Sequence, residues 1–83
     1  MSTPAWFKRD IIRPTTQFER DAVLHAQRVM RCAETAEMDE ATVVHLRGFQ
    51  NLFGLQVTGI LDGPTASQLE RIRTYGATEG ELR

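Results

Sequence analysis

At 83 residues the chain has room for one domain, and a chain of that size buries only about 60 to 65% of the surface it exposes when unfolded. Its 10 Lys plus Arg against 11 Asp plus Glu give a formal charge of −1, which excludes nucleic acid as an expected partner because no net positive charge drives counterion release. The hydrophobic share of 41% is that of a folding chain, and the lone Cys32 excludes an internal disulfide and any Cys-Cys zinc framework, so packing has to hold the fold together.

The chain begins with an arm, Met1 to Pro14, that lacks the apolar segment of a secretory signal, and no later stretch approaches the roughly 18 apolar residues of a membrane span. No membrane partner is expected, and synthesis is expected in the cytoplasm. Within the arm, Trp6 and Phe7 stand beside Lys8, Arg9 and Arg13. Trp and Arg are the residue types that anchor interfaces, so Trp6, Phe7, Arg9 and Arg13 are candidate partner contacts. The plainer alternative folds Trp6 back onto the helices. On the first reading, deleting the arm leaves helicity intact.

Thr16-Gln17-Phe18-Glu19 is a capping-box pattern that opens a first helix, expected from Thr16 to about Ala33. Phe18, Ala22, Ala26, Val29 and Ala33 fall within an arc of about 80° and form its expected core face. Arg20, Gln27, Arg28 and Arg31 take the opposite side. Leu24 lies among them and is a further candidate partner contact, although one exposed Leu is ordinary.

A second helix is expected from Asp39 to Phe53, with Val43, Leu46, Phe49 and Phe53 on one face and Gly54 in the left-handed position that ends it. Gln50 sits inside that apolar arc. A buried amide must find partners, so Gln50 either clamps a loop or meets a ligand. From Gly54 to Gly63 the chain reads as a turn at Thr58-Gly59 with two short extended arms. Pro64 then opens a third helix, expected to end near Tyr75, with Thr65, Gln68, Leu69 and Ile72 inside and Glu70, Arg71 and Arg73 outside. Gly76 and Gly80 mark a frayed tail over 76–83.

The chain also matches itself at an offset of 23 residues. Ala26-Gln27, Thr35, Met38-Asp39 and Thr42 fall on Phe49-Gln50, Thr58, Leu61-Asp62 and Thr65. Each unit reads as a helix ending near a Gln, a loop, and an Asp-x-x-Thr start for the next helix. There the Asp carboxylate caps the third backbone N–H of the helix.

The stretch Ala41-Thr42-Val43-Val44-His45-Leu46-Arg47-Gly48-Phe49-Gln50, followed by Gly54-Leu55, Thr58-Gly59, Asp62-Gly63-Pro64-Thr65 and Leu69, resembles the second half of the peptidoglycan-binding domains attached to cell-wall hydrolases. The resemblance covers about Phe18 to Arg73. It implies an all-α fold, a three-helix orthogonal bundle built from two degenerate repeats, here with an extended N-terminal arm. It also implies a binding module without catalysis whose ligand is bacterial cell-wall peptidoglycan. Gln50, Asn51, Gln56, Asp62 and Thr65 are the ligand contacts that it suggests, in a shallow polar groove. The expected division is an arm over 1–15, the three-helix domain over 16–75 and a flexible tail over 76–83. One departure stands out. Glu34-Thr35-Ala36-Glu37-Met38 replaces the Gly-containing turn in the first repeat, so that loop is expected to be tighter or more helical.

Other chemistries have little support. His25 and Cys32 lie seven residues apart on one helix, but no third or fourth metal ligand follows at a familiar spacing, so neither a metal nor another cofactor is expected. No nucleophile has a paired base, and Asp39 and Asp62 read as helix caps. The third helix carries Ser67, Gln68, Arg71 and Arg73, yet the connection before it is too long for a helix-turn-helix. The competing function is a structural or protein-docking subunit of a phage particle or other assembly. With no leader expected, a meeting with the cell wall is expected to follow release or assembly by another route.

Overall fold

α1, Gln17–Met30, packs against both α2, Glu40–Leu52, and α3, Gly63–Leu82. These are the three helices of a computed structural model that describes residues 3–82, with side chains described as far as Ile72. Among the described residues there is no sheet, only an antiparallel bridge between Ile11 and Leu61. No described helix is long and apolar enough to cross a membrane.

Each helix starts where a side chain can satisfy its free N–H groups. Thr16 accepts from the Glu19 N–H at 3.1 Å, and Glu19 accepts from the Thr16 N–H at 3.2 Å, so both halves of the capping box are present. Asp39 caps α2 by accepting from the Thr42 N–H at 2.9 Å, and Asp62 accepts from the Thr65 N–H at 3.1 Å.

α1 and α2 end alike. Arg31 is left-handed, with its N–H on the Arg28 carbonyl and the Cys32 N–H reaching the Gln27 carbonyl. Gly54 is left-handed at φ 70°, with its N–H on Asn51 and the Leu55 N–H on Gln50. Both are Schellman closures, and the first stops α1 at Met30, short of the expected Ala33. α3 instead continues through Gly76 and Gly80 to Leu82, beyond the expected end at Tyr75. The outward placement expected of Arg73 lies outside the described side chains.

The core contains Phe7, Ile11, Ala22, Val23, Ala26, Leu46, Leu61, Ala66 and Leu69, with Trp6, Val29, Met30, Met38 and Phe49 packed against it. α1 is turned from its expected orientation. Glu19 and Gln27 are buried on it, whereas Phe18 is 42% exposed with the Lys8 ammonium 5.1 Å above its ring. Two polar residues inside the buried face mislead a purely apolar count.

The arm belongs to this core. Ile11 and Leu61 exchange two backbone hydrogen bonds, at 2.9 and 3.1 Å, and both side chains are buried. Phe7 is 6% exposed and approaches the start of α3, where a Cβ on Gly63 would lie 3.4 Å from Thr3 and 4.0 Å from Phe7. Trp6 stacks on His25 with ring centroids 4.6 Å apart and donates its indole N–H to Glu70 at 2.6 Å. Burial of a Phe side chain stabilises by roughly 1.5 to 3 kcal/mol. The expectation that Phe7 anchors a partner is therefore corrected, because Phe7 is inside, whereas Trp6 lies half-buried across α1 and α3.

Candidate functional site

The loops that follow α1 and α2 are held by the same device, written twice. The Gln27 amide nitrogen lies 3.0 Å from the Thr35 hydroxyl, 3.0 Å from the Glu37 carbonyl and 2.8 Å from the Thr42 hydroxyl, while its oxygen accepts from the Ala36 N–H. Twenty-three residues on, the Gln50 nitrogen lies 3.0 Å from Thr58, 3.0 Å from the Ile60 carbonyl and 2.9 Å from Thr65. The Gln50 oxygen accepts from the N–H groups of Thr58 and Gly59. The caps join each network, since Thr35 donates to Asp39 at 3.0 Å and Thr58 to Asp62 at 3.1 Å. Thr42 and Thr35 hold the Asp39 carboxyl below its ordinary range, since bonds donated to the ionised form favour it.

These contacts decide which expected ligand residues face solvent. Gln50 and Thr65 are fully buried with their polar atoms committed to the clamp, so a ligand at the surface reaches neither side chain. That corrects both assignments. Asn51 and Gln56 are exposed, and Asp62 is half-buried. Gln27 was missed by placing it on the polar face of α1, although its alignment with Gln50 was the signal for the same burial.

A groove of about 360 Å³ opens beside the second loop, lined by Thr3, Leu55, Gly63, Pro64, Ser67, Gln68 and Arg71. Leu55 and Pro64 give it an apolar part, and Ser67, Gln68 and Arg71 contribute donors and acceptors. Gln56 follows Leu55 in the chain, and Asp62 precedes Gly63. Two further depressions lie along α1. One, of about 430 Å³, is lined by Lys8, Arg9, Ile11, Thr16, Phe18 and Glu19. The other, of about 460 Å³, includes Trp6, Phe18, Leu24, His25 and Arg28. Leu24 and Arg9 thus line grooves, whereas Arg13 is exposed without lining any of the three.

Glu19 is an electrostatic fixture. It accepts from the Thr15 N–H and hydroxyl, both at 2.8 Å, and Arg9 lies 3.3 Å away. The Thr15 bonds are the main cause that pulls its carboxyl down to about 2. Burial raises the Cys32 thiol above its ordinary value, which is the opposite of what activates a nucleophile. Among the described residues, no three His, Cys, Asp or Glu side chains group as metal ligands.

Residues 33–69 match the putative peptidoglycan binding domain family. No curated protein and no solved structure matches the chain. The matched stretch holds the whole second clamp, together with Leu55, Pro64, Ser67 and Gln68 of the groove. Gln27, which holds the first loop, lies outside it, as do Phe7, Ile11, Ala22, Val23 and Ala26 of the core. The matched stretch therefore depends on α1 and the arm to complete its packing.

Proposed function

We propose that this chain is a non-catalytic module that holds bacterial peptidoglycan in the groove between the second loop and α3. The observation that carries the reading is the position of the groove, most of whose lining falls inside the stretch matched to the peptidoglycan-binding family. Its chemistry suits a glycan bearing peptides. Hydroxyl, amide and carboxylate groups of the ligand find Ser67, Gln68 and Arg71, and sugar or alanine methyl surface finds Leu55 and Pro64. Asn51, Gln56 and Asp62 remain the expected contacts that solvent can reach.

Co-sedimentation with purified, insoluble sacculi tests this reading. The protein is expected in the pellet, and Gln68→Ala combined with Gln56→Ala should move it to the supernatant with the helical signal unchanged. Retention no greater than that of an unrelated three-helix protein overturns the proposal. Release of soluble sugars or peptides during incubation would contradict the non-catalytic part. Phe7 lends no support to a role in a phage particle or other assembly, because it is buried in its own chain.

A further inference from the structure

Met38 and Leu61 hold equivalent places, each directly before the Asp that caps the following helix, yet of the two only Leu61 has a backbone partner beside it. The arm supplies that partner as an antiparallel bridge from Ile11. Among the described residues, no hydrogen bond reaches the N–H or the carbonyl of Met38. Leu61 is fully buried, whereas Met38 is half-buried. The loop leading to Met38 is nevertheless held by the Gln27 clamp just as the loop leading to Leu61 is held by Gln50. Both loops are thus held by the same kind of clamp, and the arm pairs with only the one that ends at Leu61.

We propose that the backbone of Met38 accepts an extended segment of a partner protein, paired with it as Ile11 is paired with Leu61. Backbone bonds would give affinity, and the flanking side chains selectivity. The flanks are acidic: Glu34, Glu37, Asp39 and Glu40 lie within seven residues. Arg28 takes Glu34 at 2.8 Å, and Asp39 is engaged in its cap. Glu37 and Glu40 are exposed, and their carboxylates accept no hydrogen bond among the described residues. The occupant is therefore basic, with a branched apolar residue against Met38, as the arm has Ile11 among Lys8, Arg9 and Arg13. It differs from the arm in one respect. Gly63 makes room for Thr3 and Phe7, and its counterpart Glu40 instead presents a carboxylate, so Lys suits that place better than an aromatic. This surface is separate from the α3 groove and independent of the ligand proposed there.

A synthetic peptide copying residues 6–13, capped at both ends and with Lys in place of both aromatics, tests the inference by titration into the isotope-labelled full chain. The Met38 amide resonance is expected to shift, and its hydrogen exchange to slow. The double variant Glu37→Lys, Glu40→Lys should weaken binding about tenfold without changing helicity. N-methylation of the peptide Ile placed against Met38 should abolish it. Absence of a Met38 shift at about 1 mM peptide overturns the proposal. So do shifts centred on Leu61, which would mean displacement of the arm, and binding indifferent to the charge reversal. Met38 shifts that depend on protein concentration without peptide would assign the edge to a second copy and overturn the partner assignment.

Discussion

Ala36 and Gly59 occupy the same place in the two clamped loops, and both are left-handed, with φ of 61° and 73°. A Cβ in that region costs about 1 to 2 kcal/mol, partly offset by the greater freedom that glycine loses on folding. Ala36→Gly should therefore stabilise the chain by about 0.5 to 1 kcal/mol, read as a higher denaturant midpoint with an unchanged slope. Arg31→Gly should act in the same direction, because Arg31 has φ 60° at the end of α1 where Gly54 stands at the end of α2. The reverse change separates space from backbone. Gly54→Ala meets nothing within 4 Å, whereas a Cβ at Gly59 comes to 3.3 Å from Arg47 and Val43. Gly59→Ala should be the more destabilising of the two, and the opposite order would show that crowding does not matter there.

The clamps make a second prediction. Gln27→Leu and Gln50→Leu nearly keep the volume of the side chain while leaving a Thr hydroxyl and loop N–H groups without their partner. Each should cost about 2 to 4 kcal/mol, more than an average core substitution, because a half-satisfied polar network is worse than none. Equal costs at the two sites, by chemical denaturation, would match their common geometry. If Gln27→Leu were neutral, the first loop would not depend on its clamp.

Much of this was legible in the sequence, for identifiable reasons. The helix starts were readable because capping uses few residue types at fixed spacing, as Thr16 with Glu19, Asp39 with Thr42 and Asp62 with Thr65 show. The clamp at Gln50 was readable as a polar residue inside an apolar arc. Gln27 was not, because basic neighbours disguised it and Phe18 drew the expected core toward itself. The course of the first loop was hidden for another reason. Without glycine, a left-handed residue leaves no compositional mark, so Ala36 and Arg31 gave no sign of the conformation that the clamp and the helix end impose. The groove combines Thr3 with α3, a pairing between the two ends of the chain that no local pattern encodes.

Glu19 predicts an acid-sensitive component of stability. Its folded carboxyl titrates near 2 against an ordinary value of 4.5, so the unfolded chain takes up the proton first as pH falls. The contribution is fully present above about 4.5 and is lost as pH drops toward 2. Asp39, also lowered, acts in the same sense. Glu19→Gln should be less stable than the parent at neutral pH, with the difference shrinking as pH falls through this window. Urea midpoints measured from pH 6 to 2 check it, and parallel curves for the two proteins would remove Glu19 from the account.

Deleting residues 1–13 separates an appended arm from a built-in one. The cut removes Phe7 and Ile11 from the core and uncovers Leu61. At roughly 1.5 to 3 kcal/mol for each large apolar side chain, the loss approaches the whole stability of a domain this small, about 4 to 12 kcal/mol at 0.05 to 0.15 per residue. The truncated chain should lose helical signal and cooperative unfolding at ordinary temperature. Trp6, the one tryptophan, gives the complementary reading in the full chain: its fluorescence should change together with the helical signal in a single transition, because it lies on His25 and Glu70. If Trp6 became solvated well before the helices melted, the arm would be a separately detachable element and the truncated chain would be expected to fold.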